Sequence, residues 1–268
     1  MSVVTAKRLL NKKLPVKVLK SRKNELWEHK EPKGSQPHVG IEIEFYTSAT
    51  EEKVFEVFAK LGLQNHVCIG EDGSIHPPDV EDDGIMYFGY EVVICAPESQ
   101  IKRVLNRVSD ALKLIDARTN ESCGLHVHID HREATKRNPL ISFNNLVRVQ
   151  DFLFKVVDPE RSDNDFCQKV ETKDFIAHLF RQIDDDDRYY AINALALEKH
   201  KTIEVRLFHS TIDAEEIYHY VQMVLAAVKS KKISENIRVV SQLKKIKKVP
   251  KDTRQYLAKK QRSGRRAA

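Results

Sequence analysis

Long apolar runs are missing from this 268-residue sequence, and none approaches the ~20 residues a bilayer-spanning helix needs. The N-terminus also lacks the apolar stretch of a signal peptide. Cysteine is scarce: four residues (Cys68, Cys95, Cys123, Cys167), scattered, with no CxxC pair. That argues against a disulfide framework, and a reduced, cytoplasmic protein with no membrane segment is the economical expectation. Glycine is sparse, and no glycine-rich phosphate loop can be found. Internal repeats are absent as well.

What is present is charge, unevenly spread. Residues 1–35 carry ten Lys/Arg against three Asp/Glu, and residues 231–268 fourteen against two. The centre, 36–230, is left with 21 basic and 34 acidic side chains, a net −13 hidden inside an overall +6. Basic ends of this kind can hold a nucleic acid or another polyanion weakly by releasing counterions, and as often they are solvated tails. The acidic centre suits multivalent cations. The expected organisation is a basic N-terminal extension (1–35), a folded central domain (36–230) and a basic C-terminal tail (231–268).

Within the centre, strand and helix signals alternate. In "HVGIEIEFY" Val39, Ile41, Ile43 and Phe45 alternate with Gly40, Glu42, Glu44 and Tyr46, the period of a sheet with one buried face. A helix follows, with Ser48 and Glu51 as a capping box and Gly62 as its stop. "HVCIG", "MYFGYEVVIC", "CGLHVHID", "RYYAINALAL" and "TIEVRLFHS" read as further strands. Amphipathic stripes mark helices from Ile101 and from Asp213, with Asp213 and Glu216 as caps, and a third helix over 140–157. Strands followed by helices in irregular order predict an α+β fold, a largely antiparallel sheet with helices over one face.

Three strands then carry unusual chemistry on the face turned from the core. Cβ atoms alternate across a strand, so Glu42 and Glu44, His126 and His128, and Glu204 and Arg206 each share one side. A solvent-facing sheet side is normally polar, and an isolated ExE or HxH is more often surface than site. Such faces, however, mix Lys, Thr, Ser and Gln, whereas these strands offer carboxylates, imidazoles and one guanidinium. Carboxylates with an occasional imidazole ligate hard divalent cations such as Mg2+ or Mn2+. Without a cation, clustered carboxylates would repel one another. A hydrolytic zinc site from His126, His128 and one glutamate is the weaker alternative.

Taken in order, "GIEIEF", "EDGSI", "YEVV", "CGLHVHI", "RYYAIN" and "TIEVRLFHSTID" resemble the amidoligase family, carboxylate–amine ligases of the glutamine synthetase and glutamate–cysteine ligase fold. The resemblance covers about 36–230. It implies a curved antiparallel sheet with helices on its outer face, and ATP-dependent joining of a carboxylate to an amine through an acyl phosphate. It implies ATP and Mg2+ (or Mn2+) as cofactors, with a small molecule, peptide or protein side chain as carboxylate and amine substrates. Glu42, Glu44, Glu91, His126 and Glu204 would hold metal, and His128 would lie nearer the nucleotide. Arg206 would stabilise the transferring phosphoryl group.

Looser matches extend the set. Asp72 in "EDGSI" would hold substrate amine or metal, with Ser74 beside it; a plain turn is the alternative. In "RYYAIN" Arg188 would serve catalysis by binding phosphate or carboxylate and Asn193 would meet the nucleotide, though a strand-edge arginine is usually a surface residue. Arg161 in "ERSDNDFC" would grip a substrate carboxylate, while Cys167 reads as packing. The run "DDDD" (184–187) reads as a solvated loop. Two other classes of function remain: a metal-dependent hydrolase on the same Glu/His surface, and a non-catalytic domain delivering its basic ends to a polyanion.

Overall fold

A computed structural model describes residues 38–79, 84–131, 138–171, 182 and 187–267. The expected N-terminal extension, 1–35, and residues 184–186 of the acidic run lie outside the described residues. So do residues 80–83, 132–137, 172–181 and 183.

Six strands form one open sheet: β1 (His38–Thr47), β2 (Val67–Glu71), β3 (Phe88–Pro97), β4 (Gly124–Asp130), β5 (Ile192–Asn193) and β6 (Thr202–His209). Their order is β2-β3-β1-β4-β6-β5, and every neighbouring pair is antiparallel. The fold is α+β, as the alternation of apolar residues predicts. Val39, Ile41, Ile43 and Phe45 of β1 join Leu125, Val127 and Ile129 of β4 and Ile203 and Val205 of β6 in a single buried core.

Helices close that core. They are α1 (Glu51–Lys60), α2 (Ile101–Leu114), α3 (Pro139–Leu153), α4 (Leu195–His200), α5 (Ala214–Lys229) and α6 (Lys251–Ala267). In α2 the residues Ile101, Val104, Leu105, Val108 and Leu112 recur at helical spacing, and all are buried. At α1 the cap is Thr50, whose hydroxyl accepts from the Lys53 amide at 3.4 Å, in place of the expected Ser48. Gly62, at φ 68°, supplies the left-handed residue that ends this helix. Asp213 caps α5 as expected, accepting from the Glu215 amide at 2.9 Å.

Two expectations are corrected. "RYYAINALAL" is a strand only at Ile192–Asn193, because Leu195–His200 turn into α4, closed by Lys201 in the left-handed region. Leu, Ala, Glu and Lys are good helix formers, and this run lacks the alternation that a strand requires. The second correction concerns the C-terminal segment, which is not a loose tail. Ile233, Ile237, Leu243, Ile246, Val249 and Leu257 join the main core. Buried Asn145 of α3 donates to the carbonyls of Ala227, Ser230 and Lys231 and accepts from the Ile233 amide, so it fastens the chain where α5 ends. Charge count alone suggested a tail; apolar residues spaced thinly among lysines supply the anchor.

The last helix is also held by an acid. Glu216 of α5 is buried and accepts from the Tyr220 hydroxyl at 2.7 Å and from Lys260 of α6, with His209 Nε2 at 3.4 Å. Glu216 therefore does not close a capping box. Burial alone would raise its pKa, but the hydrogen bonds from His209, Lys260 and Tyr220 outweigh it and bring the carboxyl down to about 2. A depressed carboxylate stabilises the fold above its unfolded-state pKa, and that contribution fades as pH falls through the range between the two values. Acidification should thus remove of order 2–3 kcal/mol of stability through this one group between about pH 4.5 and pH 2. Glu216→Gln should flatten that part of the pH–stability curve in urea titrations, and an unchanged slope would contradict the assignment.

Candidate active site

The sheet's second face is where the charged residues meet. Strand register puts Glu42 opposite His126 and Glu44 opposite Glu91. It likewise sets His128 opposite Glu204 and Asn193 opposite Glu204. These residues lie on four adjacent strands and on short β5, so the period-2 alternation of each strand delivers them to one surface. That surface is not a wet sheet side. Glu42, His126, His128 and Glu204 are each only 4% exposed.

The contacts interlock. His126 Nδ1 lies 2.9 Å from Glu42 Oε2, and its Nε2 lies 3.8 Å from Glu44 Oε1. His128 Nε2 sits 3.2 Å from Glu42 Oε1 and 3.7 Å from Glu204 Oε1. Three groups have ligand atoms close enough to share a cation: Glu42 with Glu91 and His126, Glu42 with His128 and Glu204, and Glu44 with Asp72 and Glu91. Glu42 belongs to two of them and Glu91 to two, so the three groups form one chain across the sheet.

A register shift sharpens this arrangement. Leu125 pairs with Phe208 and Val127 with Val205, so Arg206 and Leu207 of β6 together face His126. Such a bulge re-aims side chains next to functional sites. Here Arg206 Nη1 bonds Glu204 Oε1 at 2.6 Å, and Nε reaches the Phe166 carbonyl at 3.4 Å. Burial opposes the charge on Glu204, yet His128, Arg206 and His126 outweigh it and hold the carboxyl below its ordinary value. Burial would likewise lower the Arg206 pKa, and the facing Glu204 and Glu42 raise it instead. Glu204 is therefore ionised at neutral pH.

The donor set fits hard divalent cations. Glu42, Glu44, Asp72, Glu91 and Glu204 bring five carboxylates together, against the two guanidinium groups of Arg206 and Arg161. Packing so many carboxylates out of water is costly unless cations neutralise them. Each group offers carboxylate oxygens with at most one imidazole, the chemistry of Mg2+ or Mn2+ more than of zinc. Among the described residues no cysteine belongs to these groups.

Other predicted residues fall differently. Asp72 joins Glu44 and Glu91, and its Oδ1 accepts from the Ser74 amide at 2.9 Å and the Ser74 hydroxyl at 2.6 Å. Ser74 thus holds the Asp72 carboxylate. Asn193 donates to Glu204 Oε2 at 2.6 Å and accepts from the Leu195 amide at 2.9 Å, so its amide is occupied by Glu204 and by the first residue of α4. His128, expected near nucleotide, lies in the group with Glu42 and Glu204. Arg188 is exposed and lies over the Tyr189 ring at 5.4 Å, apart from the acidic groups. It precedes β5 by four residues, beyond the sheet alternation that aims Asn193. Arg161 is buried beside β6, donating from Nη2 to the Arg206 carbonyl at 2.9 Å. Cys167 is packing: its thiol, pushed up by burial, faces the Arg161 carbonyl.

Two participants were not foreseen. Thr202 Oγ1 lies 3.0 Å from His128 Nδ1 and so fixes the ring from behind. Its position two residues before Glu204, on the same face, was the signal. Gly124 donates its amide to Glu44 Oε2 at 2.6 Å. A Cβ there would meet His126 Nε2 at 2.9 Å and Glu44 Oε2 at 3.3 Å, a space only glycine leaves open.

Fold and site together define an α+β protein with a buried carboxylate–imidazole surface suited to divalent cations. The family model described as "Putative amidoligase enzyme" matches residues 35–180 and 172–228, and the chain belongs to this family. The description is that of an amide-forming ligase. No curated protein and no solved structure matches the chain. Among the described residues no helix is long and apolar enough to cross a membrane.

Proposed function

We propose that the chain is an ATP- and Mg2+-dependent carboxylate–amine ligase that forms an amide or isopeptide bond through an acyl phosphate, on a glutamine synthetase-like catalytic fold. The observation that carries the reading is the row of three linked groups through Glu42 and Glu91, with Arg206 at one end. Phosphoryl transfer asks for little covalent help from a protein. It asks for positioning and for positive charge where negative charge develops. Supporting the fold assignment are the open antiparallel sheet, its helices on one face and its acids on the other.

Mg2+ held by Glu42, Glu44, Glu91, His126, His128 and Glu204 would supply the charge that lets a nucleotide triphosphate approach so acidic a surface. The chain's own residues do the rest. Glu204 and Asn193 hold Arg206 at the edge of the face, where its guanidinium can receive charge on the transferring phosphoryl group. A substrate carboxylate oxygen bonds to the γ-phosphorus, and the bond to ADP breaks with its electron pair leaving on ADP. The amine nitrogen then bonds to the acyl carbon, inorganic phosphate departs with its electron pair, and the displaced proton passes to water. Reliance on ATP accords with the cytoplasmic setting the sequence suggests.

Hydroxylamine trapping tests the reading. With Mg-ATP, a pool of carboxylates and hydroxylamine, the protein should yield a hydroxamate and ADP in equal amounts. Product formed equally well without ATP would favour the metal-dependent hydrolase instead. No product under any condition would count against catalysis.

A further inference from the structure

Past residue 228, where the family match ends, the chain builds a second cavity. Its volume is about 390 Å³, and it shares no residue with the acidic face. Six lysines line it: Lys229, Lys231, Lys232, Lys245, Lys247 and Lys248. Glu235 is the one acid in the lining among the described residues. Lys229 is paired with Glu98, and Lys245 with Glu235 at 2.5 Å. Among the described residues no carboxylate pairs with Lys231, Lys232, Lys247 or Lys248, and all four are exposed.

The core beneath sets these lysines in place. In "KKIKKV" (244–249) Ile246 and Val249 are buried, which turns Lys247 and Lys248 outward, and buried Ile233 does the same for Lys231 and Lys232. The Ile246 amide donates to the Leu243 carbonyl at 3.0 Å and the Val249 amide to the Ile246 carbonyl at 3.2 Å, so the backbone there is fixed as well. The negative end of α5 does little to offset the charge. Its last carbonyls are taken already, Ala226 by the Ser230 hydroxyl, and Ala227, Ser230 and Lys231 by Asn145. Four like charges thus crowd one hollow, a repulsion that an anion would relieve.

The lining also selects the anion. Lysine meets phosphate as a compact point charge, whereas planar carboxylates favour the fork of arginine. Among the described residues no arginine and no aromatic side chain lines the cavity, so a nucleobase would find nothing to stack on. The volume falls within the roughly 300–1,000 Å³ of small-molecule sites, which suits a compact ligand better than the length of a duplex. We propose that this cavity binds a small molecule carrying several phosphates, held by Lys231 and Lys232 of one segment and by Lys247 and Lys248 of the other. The site needs no metal and stands apart from the ligase reading.

Isothermal titration calorimetry on the full chain, in EDTA at physiological ionic strength, tests this. Without a cation the acidic face repels phosphates, so binding there is silent. The probes are tripolyphosphate, a linear chain, and inositol hexakisphosphate, a ring. At least one should bind, one per chain, and the tighter of the two tells which shape the cavity takes. Orthophosphate should bind at least tenfold more weakly. Lys231→Gln/Lys247→Gln, two exposed changes with little bearing on folding, should lose at least tenfold. Lys244→Gln/Arg262→Gln removes the same charge from exposed positions outside the cavity and should stay within threefold of wild type. The proposal is overturned if neither probe binds, if orthophosphate binds as well as they do, or if the two double variants weaken binding alike, the sign of diffuse charge. Tighter binding of a short duplex DNA, weakened equally by both double variants, would make the segment a nucleic-acid surface and would overturn it too.

Discussion

Glu42→Gln is expected to lower ATP-dependent hydroxamate formation by on the order of 10³-fold while raising the melting temperature of the metal-free protein. The two effects have one cause. Glu42 contributes to two of the three cation-binding groups, so losing its charge weakens both at once. In the metal-free protein that same charge is buried among Glu44, Glu91 and Glu204, where like charges repel. Gln keeps the shape and can still accept from His126, so relief of repulsion should outweigh what is lost. A gain of about 1 kcal/mol corresponds to a rise of roughly 2–4 °C for a chain of this size. Calorimetry with and without Mn2+, beside the trapping assay, reads both. Turnover retained, or a metal-free variant less stable than wild type, would contradict the account.

Gly124→Ala is the second large effect. The added methyl would lie 2.9 Å from His126 Nε2, closer than real contacts allow, so the imidazole or Glu44 must move. The Gly124 amide also holds Glu44 Oε2. A displacement approaching 1 Å can cost about 10²-fold in rate. The core behind β4 is untouched, so we expect turnover to fall by 10–100-fold with denaturant midpoint little changed. Full activity in this variant would show that His126 and Glu44 need not be held where they are.

Much of this site could be read from strand alternation alone. Glu42/Glu44, His126/His128 and Glu204/Arg206 each announce a shared side through the apolar residues between them, and the structure brings all three pairs to one surface. Glu91 was less visible, because the face it shares with Val93 and Cys95 is partly apolar. The bulge that sets Arg206 and Leu207 against His126 has no sequence signal, since alternation continues through it on paper. Arg188 lies outside this alternation for a related reason: β5 is only two residues long and begins four residues after it. The C-terminal segment was misjudged because lysines dominate its composition, while six spaced apolar side chains decide its packing. Arg161 was legible as a carboxylate binder only through the family resemblance; its burial beside β6 is a fact of the tertiary structure.

Titration of the full chain with Mn2+, followed by electron paramagnetic resonance, most directly tests whether the buried carboxylate–imidazole surface is a cation site. The account predicts that more than one Mn2+ binds per chain when ATP is present, and that Glu42→Gln and Glu204→Gln each lose binding. Absence of bound Mn2+, or binding that both variants leave unchanged, would contradict it.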